Sequence, residues 1–341
     1  MVISVDQQAQ TPLYKQIANS VKVAISNEEL KIGDTLPSIN HLYDTIGVSK
    51  DTVKKAYAIL LKEGLIEAAH GKGFFVCPAT AGVYKILVLF DFISTYKKEL
   101  YQSITKSLAG RAEFTIRVFN QDIDLFERFI EENVGLYDYY VVTPHLPLDH
   151  PTQQRAIKSL AKIPNRKLVV LDHIPSGMHG NFMSVYQDFE NDIYDGLVQA
   201  LPAIKKYTKL NVYTMPGSLY APMLEKGLSR FCSDYSINHE VFKNAVPQKI
   251  EKTECFLILN GQLDNELIEI AKIARSQRLR IGKDIGILSY NESPVNEIIL
   301  DGLSVLSTNF HQMGSAAAEL ILAKAPERRK NEFGFIQRNT L

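Results

Sequence analysis

Between Pro12 and Val76 the spacing of apolar residues changes in a fixed order, and that order constrains the fold more than any other stretch of the chain. Leu13, Ile17, Val21 and Ile25 recur every four residues, with Ala18 and Ala24 beside them. This is one apolar stripe on an amphipathic helix that begins after Pro12, whose missing N–H costs nothing in a first turn. Gly33-Asp34 marks a turn, and Pro37-Ser38 opens a second helix with Ser38 as its N-cap. Ile39, Leu42 and Ile46 form its buried face and Gly47 closes it. Ser49 caps a third helix with an inner face of Val53, Ala56, Tyr57, Leu60 and Leu61. Leu65-Ile66-Glu67 and Phe74-Phe75-Val76 then read as two short strands around the tip His70-Gly71-Lys72-Gly73. Three helices followed by a hairpin make a winged helix-turn-helix.

The outward positions at the start of the third helix are Lys50, Asp51, Lys54 and Lys55. A recognition helix reads bases with its N-terminal residues and holds phosphates with flanking cations. Taken alone such a run is more often a solvated helix face; the tip that follows favours nucleic acid. Its glycines let backbone approach a phosphate and Lys72 adds charge. Within residues 1–80, eight Lys and Arg are balanced by eight Asp and Glu. The segment therefore has no bulk positive field, so affinity for DNA must come from local placement and from pairing of two copies, with modest non-specific binding.

The ordered series Pro-Leu-Tyr, Gly-Asp-x-Leu-Pro-Ser, Gly-Val-Ser, Thr-Val-Lys-Lys-Ala, Glu-Gly-Leu-Ile and Gly-Lys-Gly-x-Phe-Val resembles the DNA-binding domain of the GntR family of bacterial regulators, over nearly all of residues 12–76. The resemblance implies that Ser38 starts helix 2 against the DNA backbone. It puts Ser49, Lys50, Thr52 and Lys54 on bases and phosphates, with Asp51 and Lys55 beside them, and His70, Gly71, Lys72 and Gly73 on the wing. Asn40 stands where the family often has Arg and can pair with adenine, so the preferred sequence is expected to be less G-rich. Lys50 also replaces a frequent Arg and loses its bidentate fork.

A length of 341 residues favours two domains. With 45% hydrophobic residues, 22% charged and a net charge of +0, the chain reads as an ordinary globular protein rather than a polycation. Three well-separated cysteines, Cys77, Cys232 and Cys255, argue against a disulfide framework and fit a reducing cytoplasm. No basic-then-apolar leader precedes the first helix, and no apolar run reaches the ~18 residues of a membrane span. A cytoplasmic protein without membrane contact is expected.

Residues 77–83 lack periodicity and carry Pro and Gly, which marks a linker between residues 1–76 and 84–341. From Lys85 the pattern becomes alternating strands and helices. Expected strands are Ile86–Phe90, Thr115–Phe119, Tyr139–Thr143, Leu168–Leu171, Leu210–Tyr213, Phe256–Leu259 and Ile285–Ser289. Expected helices include Glu99–Leu108, Leu125–Asn133, Gln153–Ala161, Phe189–Ala200, Leu219–Ser233, Asn265–Gln277 and His311–Ala323. This is an α/β domain with parallel sheets, and in such sheets ligands sit beyond the carboxyl ends of the strands. Those ends are rich in acids and amides, among them Asp91, Asp172, Asn260, Asn291 and Glu292, with Phe92, Tyr96, Tyr220 and Tyr290 nearby. Hydroxyls need paired donors and acceptors, and sugar C–H faces pack on rings, so a sugar suits the set.

The segment "CFLILNGQLDNELIEIAKIARSQRLRIGKDIGILSYNESPVNEII" followed by "LSVLSTNFHQMGSAAAELIL" resembles the effector domain of LacI/GalR-type regulators, itself similar to periplasmic sugar-binding proteins. The likeness extends weakly back to Lys85. It implies a two-lobed, periplasmic-binding-protein-like domain in which Phe92 and Tyr96 line the N-terminal side, Asp172, His173 and Asp188 lie near the cleft, and Asn260, Asn291 and Glu292 come from the C-terminal lobe. Many members carry Arg shortly before the Gly that opens the fifth helix; here Met223-Leu224-Glu225-Lys226-Gly227 offers only Lys226. A GntR-type reader on a LacI-type sensor is similar to the arabinose-repressor layout. That likeness implies a homodimer on a double-stranded DNA operator, controlled by a small sugar, a pentose or deoxyhexose.

Two other readings compete. An enzyme would need a catalytic motif, and no Gly-x-Ser-x-Gly elbow, Walker loop or Gly-x-Gly-x-x-Gly occurs. His145 and His150, or His173 and His179, lack helical metal spacing and read as loop or cap histidines, so neither metal nor cofactor is expected. A regulator whose second domain binds a non-sugar metabolite or a protein is the other alternative. A phosphorylated ligand would call for Arg or Lys at helix starts, which the strand ends do not offer.

Overall fold

Ser38 and Ser49 start two of the three N-terminal helices by the same device. Ser38 Oγ accepts from His41 N at 3.1 Å and Ser49 Oγ from Thr52 N at 3.1 Å. The computed structural model describes residues 5–341 except 8, 10, 28, 32, 70–72, 77–82, 215–217, 244–246, 248 and 260–264. Contacts divide the chain into two units, Met1–Tyr84 with Gly110–Glu113, and Lys85–Ala109 with Phe114–Leu341.

The first unit holds α1 (Leu13–Ser26), α2 (Ile39–Ile46) and α3 (Lys50–Lys62), with β1 (Thr35–Leu36), β2 (Ile66–Ala69) and β3 (Gly73–Val76) in one antiparallel sheet of order β1-β3-β2. Pro12 is the N-cap of α1, and Gly47 ends α2 in the left-handed region at φ 68, where a Cβ would be strained. Ile17, Val21, Val53, Ala56 and Leu60 form the core. Tyr57 Oη donates to Pro37 O at 2.6 Å and its ring meets Phe74 edge-on at 4.7 Å, tying α3 both to the approach to α2 and to the wing strand β3. Leu61 is not on the inner face: it is 39% exposed, because it lies one residue, about 100° of helical turn, off the Val53–Leu60 stripe. Strand β1 has only two residues, too few for a period to be read.

The second unit contains two six-stranded sheets. Its first lobe uses β4 (Tyr84–Phe90), α4 (Thr95–Ser107), β5 (Ala112–Val118), α5 (Ile123–Asn133), β6 (Tyr139–Val142), α6 (His150–Leu160), β7 (Leu168–Asp172) and β8 (Met183–Tyr186). Its second lobe uses α7 (Phe189–Ile204), β9 (Lys209–Thr214), α8 (Ala221–Asp234), β10 (His239–Lys243), β11 (Glu254–Ile258), α9 (Asn265–Ser276), β12 (Gly286–Tyr290) and β13 (Ser304–Thr308). The chain then returns to the first lobe with α10 (Phe310–Ala323) and β14 (Arg328–Lys330), and ends in the second with β15 (Phe333–Ile336). The sheet orders are β14-β8-β7-β6-β4-β5 and β10-β9-β11-β12-β13-β15. The second is parallel except for β15 against β13. Each order reverses once, between β4 and β6 and between β9 and β11, and such a reversal opens a crevice at the carboxyl ends of the strands. The expected strands form. β8, β10, β14 and β15 escaped the sequence reading because they are three to five residues long and partly polar, and β13, Ser-Val-Leu-Ser-Thr, lacks an apolar run although all five residues are buried.

Three segments cross between the lobes, at Tyr186–Phe189, Thr308–Phe310 and Lys330–Phe333. Asn331, 5% exposed and itself in the third, binds the other two: its N donates to Tyr186 O at 2.8 Å, and its Nδ2 to Thr308 Oγ1 at 2.8 Å and Asn309 O at 2.9 Å. In the second lobe α7 and α8 pack so closely that a Cβ on Gly227 would fall 2.1 Å from Glu190 O. Among the described residues no helix is long and apolar enough to cross a membrane.

Candidate functional site

On the first unit, α3 presents Lys50, Asp51, Lys54 and Lys55 to solvent, and Asn40 is exposed on the first turn of α2. Lys50 Nζ lies 5.3 Å from the centre of the Tyr43 ring and Lys54 Nζ 3.6 Å from Asp51 Oδ1, both contacts weak enough at the surface to yield to a phosphate. Ser38, Ser49 and Thr52 stand at the helix starts with their hydroxyls in local bonds, Ser49 Oγ and Thr52 Oγ1 being 2.8 Å apart. Gly73 opens β3 at φ 94; His70, Gly71 and Lys72 lie outside the described residues. Cations flanking hydroxyls and an amide are the groups that hold a DNA backbone and read base edges.

On the second unit the crevices of the two lobes face each other. An inner cavity of about 110 Å³ is lined by Tyr96, His145 and Asp172 from the first lobe, by Gln187 and Phe189 at the crossing, and by Tyr220, Leu224, Leu259, Tyr290 and Asn291 from the second. A wider one of about 380 Å³ shares Tyr96, Tyr290 and Asn291 and adds Phe92, Glu292, Val295 and their neighbours. Asp172 and Asn291 take positive φ, 73 and 67, a strained choice for residues with a side chain. Backbone strain of this kind collects at functional sites.

Four buried polar residues sit at the first lobe's switch point. Lys97 Nζ, 1% exposed, is in direct contact with Asp91 Oδ1. Asp91 Oδ2 is 3.7 Å from His145 Nδ1, and His145 Nε2 is 2.9 Å from Asp172 Oδ2, a close contact poorly angled for a hydrogen bond. Gln187 Nε2 donates to the other Asp172 oxygen. Burial pushes the Asp172 carboxyl up, but His145, Lys97 and the Gln187 amide together outweigh it and hold the group at about 2. Burial and then the Lys97 charge keep His145 low, so the imidazole is neutral. Burial also pulls Lys97 down to about 7, opposed by Asp172. Asp172 is therefore a buried carboxylate on the cavity, coupled to Lys97 and His145. Around it the buried Tyr220 Oη, Tyr290 Oη and Asn291 Oδ1 have no hydrogen-bond partner. Buried polar atoms without a partner are rare, and a cavity beside them is where the partner would come from.

Of the residues expected from sequence, Tyr96, Asp172, Tyr220 and Asn291 come together on the inner cavity, and Phe92 and Glu292 on the wider one. Glu292 is paired with Arg338 Nη1 at 2.8 Å. Asn260 lies outside the described residues. Two others stand off the lining. Asp188 is the N-cap of α7, bonded to Asn191 N and Nδ2, because its carboxylate is drawn to the helix start. His173 is buried behind the cavity, 5.1 Å from the Tyr220 ring and 6.2 Å from that of Phe189. His145 does lie in the loop after β6, but that loop turns it into the cleft, with its Nε2 2.9 Å from Asp172 Oδ2. Gln187, Leu224 and Lys97 were also missed. Lys97 had one signal, a cation in the first turn of a helix, where the macrodipole disfavours it. Among the described residues no group of three or more His, Cys, Asp or Glu could hold a metal.

Residues 13–76 match the gntR family of bacterial regulatory proteins. Over 75 residues the chain is 37% identical to the HTH-type transcriptional repressor YtrA of Bacillus subtilis (strain 168), an overlap of 22% of this chain and 58% of that one, so less than two thirds of the relative is spanned. Solved structures match about three quarters of the chain. The dimeric Lac repressor with an 11-residue C-terminal deletion superposes with a TM-score of 0.59 at 14% identity, over 75% of this chain and 98% of that chain. The trehalose repressor from Escherichia coli does so with a TM-score of 0.59 at 12% identity, over 74% and 99%. At such identities the likeness speaks for the fold alone.

Proposed function

Because the chain joins a gntR-type helix-turn-helix domain to a two-lobed domain with the fold of LacI-type repressors, we propose that it is a sequence-specific transcription regulator without enzymatic activity, a repressor of genes for carbohydrate use. A small neutral sugar, a pentose or deoxyhexose, binds between the lobes and releases the protein from DNA. The protein acts as a homodimer in the cytoplasm. Each copy puts α3 in a major groove and the wing alongside, so half-sites lie about one helical turn apart or a multiple of it. The ligand residues are Phe92, Tyr96, His145, Asp172, Gln187, Tyr220, Tyr290, Asn291 and Glu292, with Asn260 still a candidate.

One observation carries the ligand half of this reading: a buried carboxylate, Asp172, shares a cavity with unpartnered Tyr220, Tyr290 and Asn291 side chains. A polyol answers both, donating hydroxyl hydrogens to Asp172 and accepting from the tyrosines. A phosphate would bring negative charge against Asp172 where Lys97 is already taken by Asp91. Ligand shifts the lobes about the Asn331 crossing, and the change reaches the readers as a coupling between two sites.

Thermal melting against free pentoses, hexoses, deoxyhexoses and their phosphates tests it, since a ligand of the native state must stabilise it. The expected result is that one neutral sugar raises the melting temperature and lowers affinity for a DNA fragment selected by the full chain. Stabilisation by phosphates alone, or by none of the panel, would move the second unit to a non-sugar metabolite or a protein partner.

A further inference from the structure

We propose that Tyr43 is a DNA contact of the reader, its phenol donating to the same backbone phosphate that Lys50 holds; the inference rests on the first unit being a DNA-binding domain. Tyr43 is 45% exposed on α2 and is not among the side chains of that unit's core. A single exposed ring needs no explanation by itself, but its neighbours give it one. Asn40 lies three residues earlier, so the two side chains share one face of α2, while Asp44, one residue on, is turned about 100° away. Lys50 Nζ, at the start of α3, stands 5.3 Å from the centre of the Tyr43 ring. The ring thus joins the exposed face of α2 to the start of α3, where Ser49 and Lys50 are also exposed.

In a helix-turn-helix the first helix of the pair crosses the DNA backbone and the second enters the major groove. A side chain on the outer face of α2 therefore meets phosphate rather than base, and Tyr is among the residues that donate to phosphate oxygens. A lysine binds phosphate as a point charge, without the two-pronged fork of a guanidinium. A phenol beside it supplies the second prong, since a phosphate has oxygens for both. The ring also holds the ammonium near its place before DNA arrives, and a side chain already held loses less freedom on binding.

Fluorescence anisotropy across a salt series tests this, on a duplex that the full-length protein selects from a random pool and on an unselected duplex. Tyr43→Phe keeps the ring over Lys50 and removes only an exposed hydroxyl, so the fold is kept. It should lower affinity roughly tenfold per half-site, as the loss of a hydrogen bond to a charged group does. The loss should be equal on both duplexes, because a phosphate contact carries no sequence. The slope of log affinity against log salt should stay as it is, because an uncharged donor releases no counterion. Lys50→Ala should instead reduce that slope by about 1 per half-site. The double variant should lose less than the product of the two single losses, because groups on one phosphate are coupled. Native affinity in Tyr43→Phe, or a loss confined to the selected duplex, overturns the phosphate contact and leaves the reader intact. Losses that multiply, or an unchanged slope in Lys50→Ala, overturn the sharing with Lys50. A native protein that binds neither duplex overturns the reader itself.

Discussion

Asp172 and Asn291 occupy equivalent places in the two lobes. Each stands at the carboxyl end of a strand, β7 or β12, each has φ near the left-handed region at 73 and 67, and both line one cavity. The backbone turns there lift both side chains off their sheets. Asp172 O still accepts from Gln187 N at 2.9 Å, and Asn291 N donates to Leu306 O at 2.8 Å, so the strain is held by the crossing on one side and by β13 on the other.

Replacement of Asp172 by Asn keeps a residue that tolerates this conformation and removes the charge. Two charge-assisted hydrogen bonds at about 1.5–3 kcal/mol each predict a loss of roughly 100-fold or more in sugar affinity. Calorimetry on Asp172→Asn checks it. DNA binding in the absence of sugar should stay as it was; loss of both would mean a misfolded protein.

Lys54 is exposed and, among the described residues, tethered by Asp51 at 3.6 Å. Lys54→Ala should weaken binding to all sequences alike and reduce the slope of log affinity against log salt by about 1. Fluorescence anisotropy across a salt series reads both. An unchanged slope would take Lys54 off the phosphates.

Burial, and then His145, lower the His173 imidazole from 6.5 to about 4, so it is neutral when folded at pH 7. The unfolded chain therefore binds more protons between these values. Stability is full above about pH 6.5 and falls as the pH drops toward 4, by about 3 kcal/mol from this group. Denaturant melts of the native protein and His173→Gln should converge as the pH is lowered. A native protein as stable at pH 4.5 as at pH 7 would contradict the burial argument.

Asn331→Ala removes the side-chain bonds to Thr308 and Asn309 and leaves buried groups unmet, at about 1–3 kcal/mol. Asn331 touches neither cavity, so sugar affinity should change little while the effect of sugar on DNA affinity falls. An anisotropy titration with and without sugar separates the two. Full coupling in the variant would mean that the crossing does not transmit the signal.

The reader was legible in the sequence almost to the residue. Its helices are amphipathic and short-range: the four-residue stripe, the serine caps and Gly47 are local choices that tertiary packing confirms. Leu61 is the exception, one step off a stripe that only the packed helix defines. The central parallel strands with continuous apolar runs, such as Ile86–Phe90, were legible too, whereas the short or partly polar parallel strands β8, β10, β13 and β14 were not. The cleft was legible only in part. Tyr96, Asp172 and Asn291 announce themselves as polar residues after apolar runs. His145, Lys97 and Gln187 do not, since their pairing with Asp91 and Asp172 joins residues that are 6 to 54 positions apart and meets only when β4, β6, β7 and the first crossing are assembled. The sequence determined by itself the helices, the reader and the strands with continuous apolar runs, through periodicity, caps and turns. The tertiary structure alone decided where charge is cancelled and where it is left bare, because a buried ion pair is a matter of distance and burial, and neither is written in the order of residues.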